Sequence, residues 1–510
     1  MILINSSPKN ALKIFQPFLP ISVPIGIGCL AAAMEREGID VAILDEQVED
    51  DVLKKISEYT DKAAKPYIFG FSVLTAALKS AIDLSKKLKE IYPDSIVIFG
   101  GIHPTAMPEE VMKYPHIDFI LRGEAEKSLL ELYRCLKTGA DYSKIAGLSY
   151  RFGGKVLHNP FNFIVDDFDT YPSFPYHRFS GNKLYDLGFV VSSRGCPHRC
   201  IFCSNRITTG RRYRYRSASI IAGELEILNK KYGQNFIMFV DDNLLVNKER
   251  IFSLIEEIKK RDLHKKMTFS FQARGDNVNE EILKALYDAS FRSVFFGMET
   301  SSEKIMKIIK KDETVAQCVD AVKMAKKIGY HVSATFIYGF PEETREDRMN
   351  CVKMSRELGL DMVRYNNATP YPGTELYEIA VREGRLNIQG LYENFVSVST
   401  FIENPFVKIP FTYVSTGSSE EELRRDILYS YFSFYFGINR LKQILLNPNQ
   451  GVGWFNAGKK LRDAVKKIPG LFILSFMMGV KFLQLFYYMV IRRTTRISFK
   501  EFLKVFQGGV

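Results

Sequence analysis

The chain has 510 residues, of which 46% are apolar and 25% charged, and these ordinary globular values exclude wholesale disorder and fibrous repeats. At roughly 100–200 residues per domain, this length predicts about three domains. A formal net charge of +12 spread over the whole chain is typical of a solvated surface, so composition gives no reason to expect nucleic acid as a partner.

Short apolar runs alternate with amphipathic stretches through the first 140 residues. Strands are predicted at 1–6, 41–45, 67–72, 96–101 and 117–123. Helices are predicted between and after them, at 25–37, 49–58, 75–91, 108–113 and 125–138. This alternation predicts a doubly wound parallel sheet of the Rossmann or flavodoxin-like type, as a domain over 1–140. Ligands of such sheets bind beyond the carboxyl ends of the strands.

The alternation stops over 141–187, where a tract rich in proline and aromatic residues predicts an ordered linker. It resumes over 188–400, where six strand and helix units predict a partial (βα)6 barrel of the TIM type. The predicted strands are 189–193, 236–242, 268–274, 293–300, 331–340 and 361–371. Catalytic groups of such barrels lie at the carboxyl ends of the strands.

The C-terminal region, 401–510, is predicted to be mainly helical, and it opens with a capping box formed by Ser418 or Ser419 with Glu421 or Glu422. Within it, 470–491 is an apolar run interrupted only by Lys481 and flanked by basic residues. Three arrangements remain open: a helix lying in the membrane interface, a buried core helix and a membrane span. The interfacial helix is favoured because a central lysine is costly in lipid.

Three of the seven cysteines, Cys196, Cys200 and Cys203, form a C-x3-C-x2-C cluster, whereas the other four are scattered. Three thiolates so close together favour a soft-metal centre, with chance clustering as the competing explanation. Structural zinc usually needs a fourth ligand at a characteristic spacing, and none follows here, since His198 lies inside the loop and is not expected to bind metal. Three cysteines fit a four-iron cluster with one iron left open.

At this point the sequence resembles the radical SAM superfamily, in the branch whose members carry an N-terminal cobalamin domain. The resemblance covers about 1–400 and includes the cysteine loop with Phe202 before its last cysteine. Further motifs of the branch follow in the same order, at 239–245, 273–277, 295–314, 336–344 and 370–377. Segments similar to the cobalamin domain are found at 24–45, 100–111 and 119–132.

The resemblance implies that Cys196, Cys200 and Cys203 bind three irons of a [4Fe–4S] cluster. S-adenosylmethionine (SAM) would chelate the fourth iron, and its reductive cleavage would release a 5′-deoxyadenosyl radical. The residues expected to contact SAM are Phe202, Asp242, Arg274, Glu299 and Gly339. Competing structural explanations stand for several of them. Phe202 could pack in the core, Arg274 could pair with an acidic neighbour, and at most one of Asp241 and Asp242 is expected to face the site.

The resemblance also implies a cobalamin site at the strand ends of the first domain. The D-x-H-x-x-G motif that supplies an axial histidine in several B12 proteins is absent, so His103 is expected to line the corrin or its nucleotide tail, with a turn histidine as the alternative. The full predicted set is Ser72, Thr75, Gly100, Gly101, His103, Gly123 and Glu124.

The predicted function is methylation of an unactivated carbon of a hydrophobic, lipid-like or other small-molecule substrate by a cobalamin-dependent radical SAM enzyme. Radical cyclisation or rearrangement and a non-catalytic cobalamin sensor are the alternatives. A methylthiotransferase is disfavoured because only Cys29 and Cys135 lie in the first domain.

The expected partners are an electron donor of the flavodoxin or ferredoxin type and the membrane, contacted peripherally through 470–496; no nucleic acid is expected. The opening residues show no secretory signal, so a cytoplasmic location is expected, with contact at the inner face of the membrane.

Overall fold

The computed structural model describes residues 1–8, 21–61, 65–160, 167–396, 404–436, 475–498 and 500. The predicted C-terminal region therefore lies partly outside the described residues, and so does the start of the apolar run at 470–491. The predicted α/β architecture is confirmed: a mainly parallel sheet with helices on both faces, then a six-stranded parallel sheet, then helices.

The first sheet has seven strands in the order β3-β1-β4-β5-β6-β7-β8, and its first five strands are parallel. If the five parallel strands are numbered in chain order, their order across the sheet is 2-1-3-4-5, as in flavodoxin-like folds. The direction in which successive strands are added therefore reverses beside β1. The elements are β1 (Ile2–Asn5), β2 (Ile21–Ser22), α1 (Ile25–Arg36), β3 (Ala42–Asp45), α2 (Val52–Thr60), β4 (Ile68–Ser72), α3 (Leu78–Ile91), β5 (Ile96–Gly100), α4 (Ile102–Ala106), α5 (Pro108–Val111), β6 (Phe119–Leu121), α6 (Glu126–Thr138), β7 (Leu148–Phe152) and β8 (Lys155–His158).

Strands β7 and β8 form an antiparallel hairpin at the edge of this sheet, in the tract 141–187 where the sequence predicted a linker. The hairpin turns through Gly153 and Gly154, both with positive φ. A Gly-Gly pair between two short runs is a hairpin signal, and it differs from the βα alternation that predicts the rest of the domain. The linker prediction is therefore wrong for 148–158, because this part of the tract belongs to the sheet.

The second sheet is parallel throughout, and its strands follow one another in chain order, as predicted for a partial barrel. Its elements, with the ribbon strands β9, β11 and β12 that flank it, are β9 (Tyr185–Asp186), β10 (Phe189–Val190), β11 (Ser193–Arg194), α7 (Asn205–Thr209), β12 (Arg214–Tyr215), α8 (Ala218–Tyr232), β13 (Phe236–Phe239), α9 (Lys248–Lys260), β14 (Thr268–Ala273), α10 (Glu280–Asp288), β15 (Phe291–Glu299), α11 (Glu303–Ile308), α12 (Val315–Ile328), β16 (His331–Tyr338), α13 (Arg345–Glu357), β17 (Met362–Asn367) and α14 (Glu375–Arg382).

The predicted strand 189–193 is shorter in the structure. Only β10 joins the barrel sheet, whereas β11 pairs with β12 in a separate antiparallel ribbon. The cysteine loop leaves from this ribbon, so the ribbon sets where the loop begins.

Aromatic side chains fill the core of the barrel. Phe239, Phe269, Phe271 and Phe291 are fully buried, and their ring centroids lie between 4.8 and 6.1 Å apart where they contact one another. Burying a phenylalanine side chain contributes about 1.5–3 kcal/mol, so this cluster supports the floor of the site. Two further apolar clusters cover the two faces of the first sheet.

The open edge of the barrel at β17 is closed by the C-terminal helix α15 (Glu420–Tyr435). The predicted capping box is confirmed, between Ser419 and Glu422. The hydroxyl of Tyr435 accepts a hydrogen bond from the Val363 amide at 3.0 Å and donates one to the Val363 carbonyl at 2.9 Å. The hydroxyl of Tyr431 likewise accepts from the Tyr365 amide at 3.1 Å. Side chains of α15 thus satisfy backbone groups that an edge strand would otherwise leave unpaired.

Residues 475–486 form a further helix, α16, which continues into a π-helical turn at Tyr487–Ile491. None of the helices within the described residues is long and apolar enough to cross a membrane. Lys481, in the middle of the apolar run, is buried against the protein and only 2% exposed.

Tyr435→Phe should destabilise the barrel, because the backbone groups of Val363 then lose their partner beneath α15. A buried unsatisfied polar group costs about 1–3 kcal/mol, and we expect a loss of that size in the free energy of unfolding measured with urea. The control is Tyr59→Phe, at an exposed tyrosine of α2. Equal stabilities of the two variants would contradict this role for Tyr435.

Candidate active site

The three clustered cysteines lie on one loop between β11 and α7, and all three are partly buried free thiols. Backbone hydrogen bonds at Ile201 hold the middle of the loop. Its amide donates to the Ile309 carbonyl and its carbonyl accepts from the Leu376 amide, each at 3.0 Å. The loop is therefore fixed between the end of α11 and the start of α14, with its cysteines at the carboxyl end of the barrel.

Burial raises the pKa of each of the three thiols, to about 11 for Cys203. The nearby cations Lys311 and Arg274 act in the opposite direction on Cys200. Among the described residues, no three His, Cys, Asp or Glu side chains converge as ligands of a single metal ion. A four-iron cluster does not require such convergence, because each thiolate binds a different iron. Three thiols on one loop therefore fit the predicted cluster. The buried cations beside them would offset the negative charge of the thiolates that bind it.

Asp242 holds both ends of the cysteine loop. Its carboxylate accepts hydrogen bonds from the Gly195 amide at 3.2 Å, the Asn205 side chain at 2.7 Å and the Thr209 hydroxyl at 3.3 Å. Asp241 faces the other way, where it accepts from the amide and hydroxyl of Ser192. The alternation predicted for the two aspartates is therefore present, and the oxygens of Asp242 are engaged by the loop itself.

A cluster of buried charges lies beside the cysteine loop, at the carboxyl ends of β14 and β15. The Lys311 ammonium donates to the Glu299 carboxylate at 2.8 Å and to the Gly297 carbonyl at 2.9 Å. Arg274 pairs with the neighbouring Asp276 through two hydrogen bonds, at 2.8 and 2.9 Å. Glu299 has a φ of +62°, a left-handed conformation that a non-glycine residue seldom adopts. Such strain is often found at functional sites.

Phe202 and Gly339 lie close together at this face of the barrel. The Phe202 ring is half-buried and contacts the Phe340 ring at a centroid distance of 5.4 Å. The Gly339 amide donates to the Glu343 carboxylate at 2.6 Å, so this amide already has a partner. Burial raises the pKa of Glu343 to about 8. Sequence analysis missed Glu343, although it stands in the same GFPEET motif as Gly339.

The carboxyl edge of the first sheet carries the residues predicted to contact cobalamin. Gly101 has a φ of +95°, and a Cβ there would lie 2.8 Å from the Val73 amide, so no larger residue fits. His103 is 1% exposed, and burial lowers its pKa to about 4. Both of its ring nitrogens lack a hydrogen-bond partner within the described part of the chain, as does the buried Ser6 hydroxyl. Buried polar atoms without a partner at the carboxyl edge of a sheet are consistent with a site where a bound ligand supplies the missing hydrogen-bond donors and acceptors.

A narrow cavity of about 30 Å³ lies between this sheet and helices α1 and α6. Its wall includes Ser72 and Gly100, both predicted site residues, together with Gly70 and the side chains of Leu3 and Leu129. The glycines keep side chains out of this space, because a Cβ on Gly70 would lie 2.8 Å from the Leu3 side chain. The cavity marks the predicted cobalamin edge and would have to widen to admit the nucleotide tail of the cofactor.

Of the other predicted cobalamin residues, Gly123 and Glu124 have hydrogen-bond partners within the protein. Thr75 is buried in a short 3-10 turn after β4. The Gly123 amide donates to the Thr105 hydroxyl at 3.0 Å. Glu124 accepts two hydrogen bonds from Arg214, across the boundary between the two sheets.

The two candidate sites meet where the sheets face each other. A Cβ on Gly373 would lie 2.9 Å from the Ile207 side chain of α7 and 3.2 Å from the Ala106 side chain of α4. Tyr392 lies on the same boundary, since its ring contacts the His103 ring at 4.8 Å and its hydroxyl donates to Glu110 at 2.7 Å. The carboxyl ends of both sheets therefore border one shared space.

Comparison with known proteins agrees with this arrangement. The family model described as the Radical SAM superfamily matches residues 190–354, and the model described as the B12 binding domain matches residues 17–133. An uncharacterized methyltransferase of Pyrococcus horikoshii is 35% identical over 419 residues, which cover 81% of this chain and 87% of that protein.

The anaerobic magnesium-protoporphyrin IX monomethyl ester cyclase of Rubrivivax gelatinosus is 29% identical over 372 residues, which cover 70% of this chain and 66% of the cyclase. Among solved structures, the radical S-adenosylmethionine methyltransferase TsrM of Kitasatospora setae, with cobalamin and a [4Fe–4S] cluster bound, superposes with a TM-score of 0.68. It is 19% identical, with 84% of this chain and 90% of that chain covered. This likeness shows a shared fold.

Asp242→Ala should loosen the cysteine loop, because the Gly195 amide and the Asn205 side chain lose their acceptor. Trypsin should then cleave after the exposed Arg199 about tenfold faster, since losing buried hydrogen bonds costs about 1–3 kcal/mol. Asp262→Ala, at an exposed aspartate paired with Lys265, is the matched control. Unchanged cleavage after Arg199 would contradict the role of Asp242.

Proposed function

Because the chain belongs to the cobalamin-binding radical SAM family, whose cofactors are a [4Fe–4S] cluster, SAM and cobalamin, we propose that it methylates an unactivated carbon of a small hydrophobic substrate. The observation that carries the proposal is the position of the cysteine loop, opposite the cobalamin-binding edge of the first sheet. When bound, the cluster supplies the electron that cleaves SAM, and cobalamin carries the methyl group.

Cys196, Cys200 and Cys203 would hold three irons, and Asp242 keeps their loop closed. Lys311 and Arg274 place two buried cations near Cys200, where they offset thiolate charge. Glu299 is held by Lys311 at the end of β15 and would offer its carboxylate to the polar groups of SAM. Phe202 offers an apolar face to the adenine.

On the opposite side, the sheet edge at Ser72 and Gly100 would hold cobalamin, and the narrow cavity there would widen to take its nucleotide tail. His103 is neutral at physiological pH, because burial holds its pKa near 4, and a neutral ring can both donate and accept a hydrogen bond. Gly101 lets the backbone approach closely. With both cofactors bound, the facing sheets would limit the access of water to the space between them, which would favour the use of reactive species there.

Methyl transfer is favoured over radical cyclisation because the relative in Pyrococcus horikoshii, which matches the greater length, is named a methyltransferase. Cyclisation is the second candidate, since the relative in Rubrivivax gelatinosus is named a cyclase. A non-catalytic cobalamin sensor, the candidate from another class, needs no cluster and gives no reason for three cysteines on one loop.

Incubation with SAM carrying a deuterated methyl group separates these candidates. We expect a product that gains one labelled methyl group, together with 5′-deoxyadenosine, both detected by mass spectrometry. Cys203→Ala should abolish both products, because one iron loses its ligand. The control, Cys135→Ala, removes a thiol on α6 far along the chain from the loop and should leave both products unchanged.

One outcome would contradict methyl transfer, and another would contradict the cluster assignment. A product that loses hydrogen without gaining the label would identify a cyclase. Formation of 5′-deoxyadenosine by Cys203→Ala at the native rate would refute the cluster assignment.

We further propose a cytoplasmic protein that receives its electron from a flavodoxin or ferredoxin type donor and contacts the membrane peripherally. The cysteine loop reaches the surface at Pro197 and Arg199, which supports electron entry there. Membrane contact is supported by an exposed row of large apolar side chains, which we call the apolar stripe: Phe406, Val407, Phe476, Leu483, Tyr487 and Ile491.

The apolar stripe suits a membrane interface. Phe476 and Leu483 are 62% and 64% exposed and stand seven residues apart on one face of α16, while Lys481 points into the protein. Exposed Arg493 and Arg496 follow at its end and have no partner among the described residues. Apolar side chains beside cations are typical of helices that lie on anionic lipid.

Leu483→Asp should weaken binding to vesicles of phosphatidylcholine and phosphatidylglycerol by about tenfold or more, since burying one leucine contributes about 1.5–3 kcal/mol. Leu184→Asp, at an exposed leucine elsewhere in the chain, is the matched control and should not change sedimentation with vesicles. If the native protein fails to sediment with the vesicles, the membrane proposal is wrong.

A further inference from the structure

Four buried charges join the first sheet to the ribbon that carries the cysteine loop. Arg214 of β12 donates to both oxygens of Glu124, which follows β6, at 2.6 and 2.7 Å. Only 3% of the Arg214 side chain and 7% of the Glu124 side chain are exposed. This planar two-bond arrangement fixes distance and orientation at once.

The second pair lies beside the first. Arg194 of β11 contacts Glu126, at the start of α6, at 2.7 Å and Glu124 at 3.7 Å. Its guanidinium also packs on the rings of Phe168 and Tyr171, 5.0 and 5.7 Å from their centroids. The four side chains Glu124, Glu126, Arg194 and Arg214 are called the interdomain network below.

The interdomain network acts directly on the cysteine loop. Arg194 stands two residues before Cys196, and Gly195 between them has a φ of +87°. The Gly195 amide donates to Asp242, so the chain is held on both sides of this point. A Cβ on Gly195 would lie 2.3 Å from the Arg212 carbonyl, which leaves the backbone little freedom to absorb a shift of Arg194.

Stability alone does not explain the interdomain network. A buried ion pair is often no more stabilising than apolar side chains of the same volume, because removing two charges from water is costly. What such a network supplies is a defined geometry, since its hydrogen bonds are satisfied in only one docking arrangement of the two surfaces. Both surfaces border the proposed cofactor sites.

We propose that the interdomain network sets the alignment of the cluster loop against the cobalamin-binding sheet, and that Glu124 is a positioning residue for methyl transfer which touches neither cofactor nor substrate. This inference rests on the proposed function. Methyl transfer needs the cleaved SAM, the substrate carbon and the methyl donor in line, and a misplacement of about 1 Å can cost a hundredfold in rate. The residues proposed to hold the cluster and SAM all lie on the barrel side of the interdomain network, so SAM cleavage should depend less on this alignment than methyl transfer does.

Glu124→Gln in the full-length holoprotein tests the inference, because it keeps the shape of the side chain and removes its charge. Iron and cobalamin content should match the native protein. The ratio of methylated product to 5′-deoxyadenosine should fall about tenfold, and the magnetic coupling between Co(II) and the reduced cluster, measured by EPR, should change. Glu131→Gln, at a glutamate of α6 that pairs with Lys127, is the matched control and should change neither quantity.

Two results would overturn the inference: an unchanged product ratio with unchanged magnetic coupling, or a loss of cobalamin affinity, which would make Glu124 a direct contact of the cofactor. If Glu124→Gln does not fold, Arg214→Lys keeps the charge, removes the two-bond geometry and is judged by the same measurements. The EPR measurement needs no substrate. It therefore tests the interdomain network even if the native protein proves not to methylate, which would overturn the proposed function alone.

Discussion

The organisation of this protein depends on two parallel sheets that turn their carboxyl ends toward each other. Parallel strands all end at one edge, and the loops at that edge are where α/β folds place ligand-binding groups. Here one edge carries the cysteine loop and the other carries Gly101 and His103. The Arg214–Glu124 pair bridges them. Because the edges face each other, groups separated by about a hundred residues of chain border one space, and chemistry that needs two cofactors at once becomes geometrically feasible.

The second defining feature of this boundary is a set of buried charged side chains. Lys311, Glu299 and Arg274 are each less than 10% exposed, as are Arg214 and Glu124. Ionised groups are rarely buried without a functional or specificity role, since each loses its hydration. On the barrel side, the cations lie next to thiols whose pKa burial has raised, which suits a site that must carry thiolate charge. On the opposite side, His103 stays neutral and its ring nitrogens lack partners among the described residues.

Local patterns were enough to predict both sheets, the capping box of α15 and the loop that groups Cys196, Cys200 and Cys203. These features depend on neighbouring residues, so periodicity and spacing reveal them. Side-chain contacts between residues that are distant in sequence produce no periodicity or spacing that the sequence alone reveals. The partners of Glu124 and Asp242 stand tens of residues away, and Lys311 lies in a helix-terminal KKDET segment that looks like an ordinary charged surface. The hairpin at 148–158 is different, because its Gly153–Gly154 turn is a local signal. The surrounding tract is rich in proline and aromatic residues, which is typical of a linker, so the turn alone did not predict that these strands join the sheet.

The central claim is that this chain holds an iron–sulfur cluster and cobalamin together, across the boundary between its sheets. The most direct test is anaerobic reconstitution of the full-length protein with iron, sulfide and hydroxocobalamin, followed by gel filtration and metal analysis. We expect about four irons and about one cobalt per chain to coelute with the protein, with the iron lost and the cobalt retained in a variant that lacks Cys196, Cys200 and Cys203. A protein that elutes without iron and without cobalt would contradict the account.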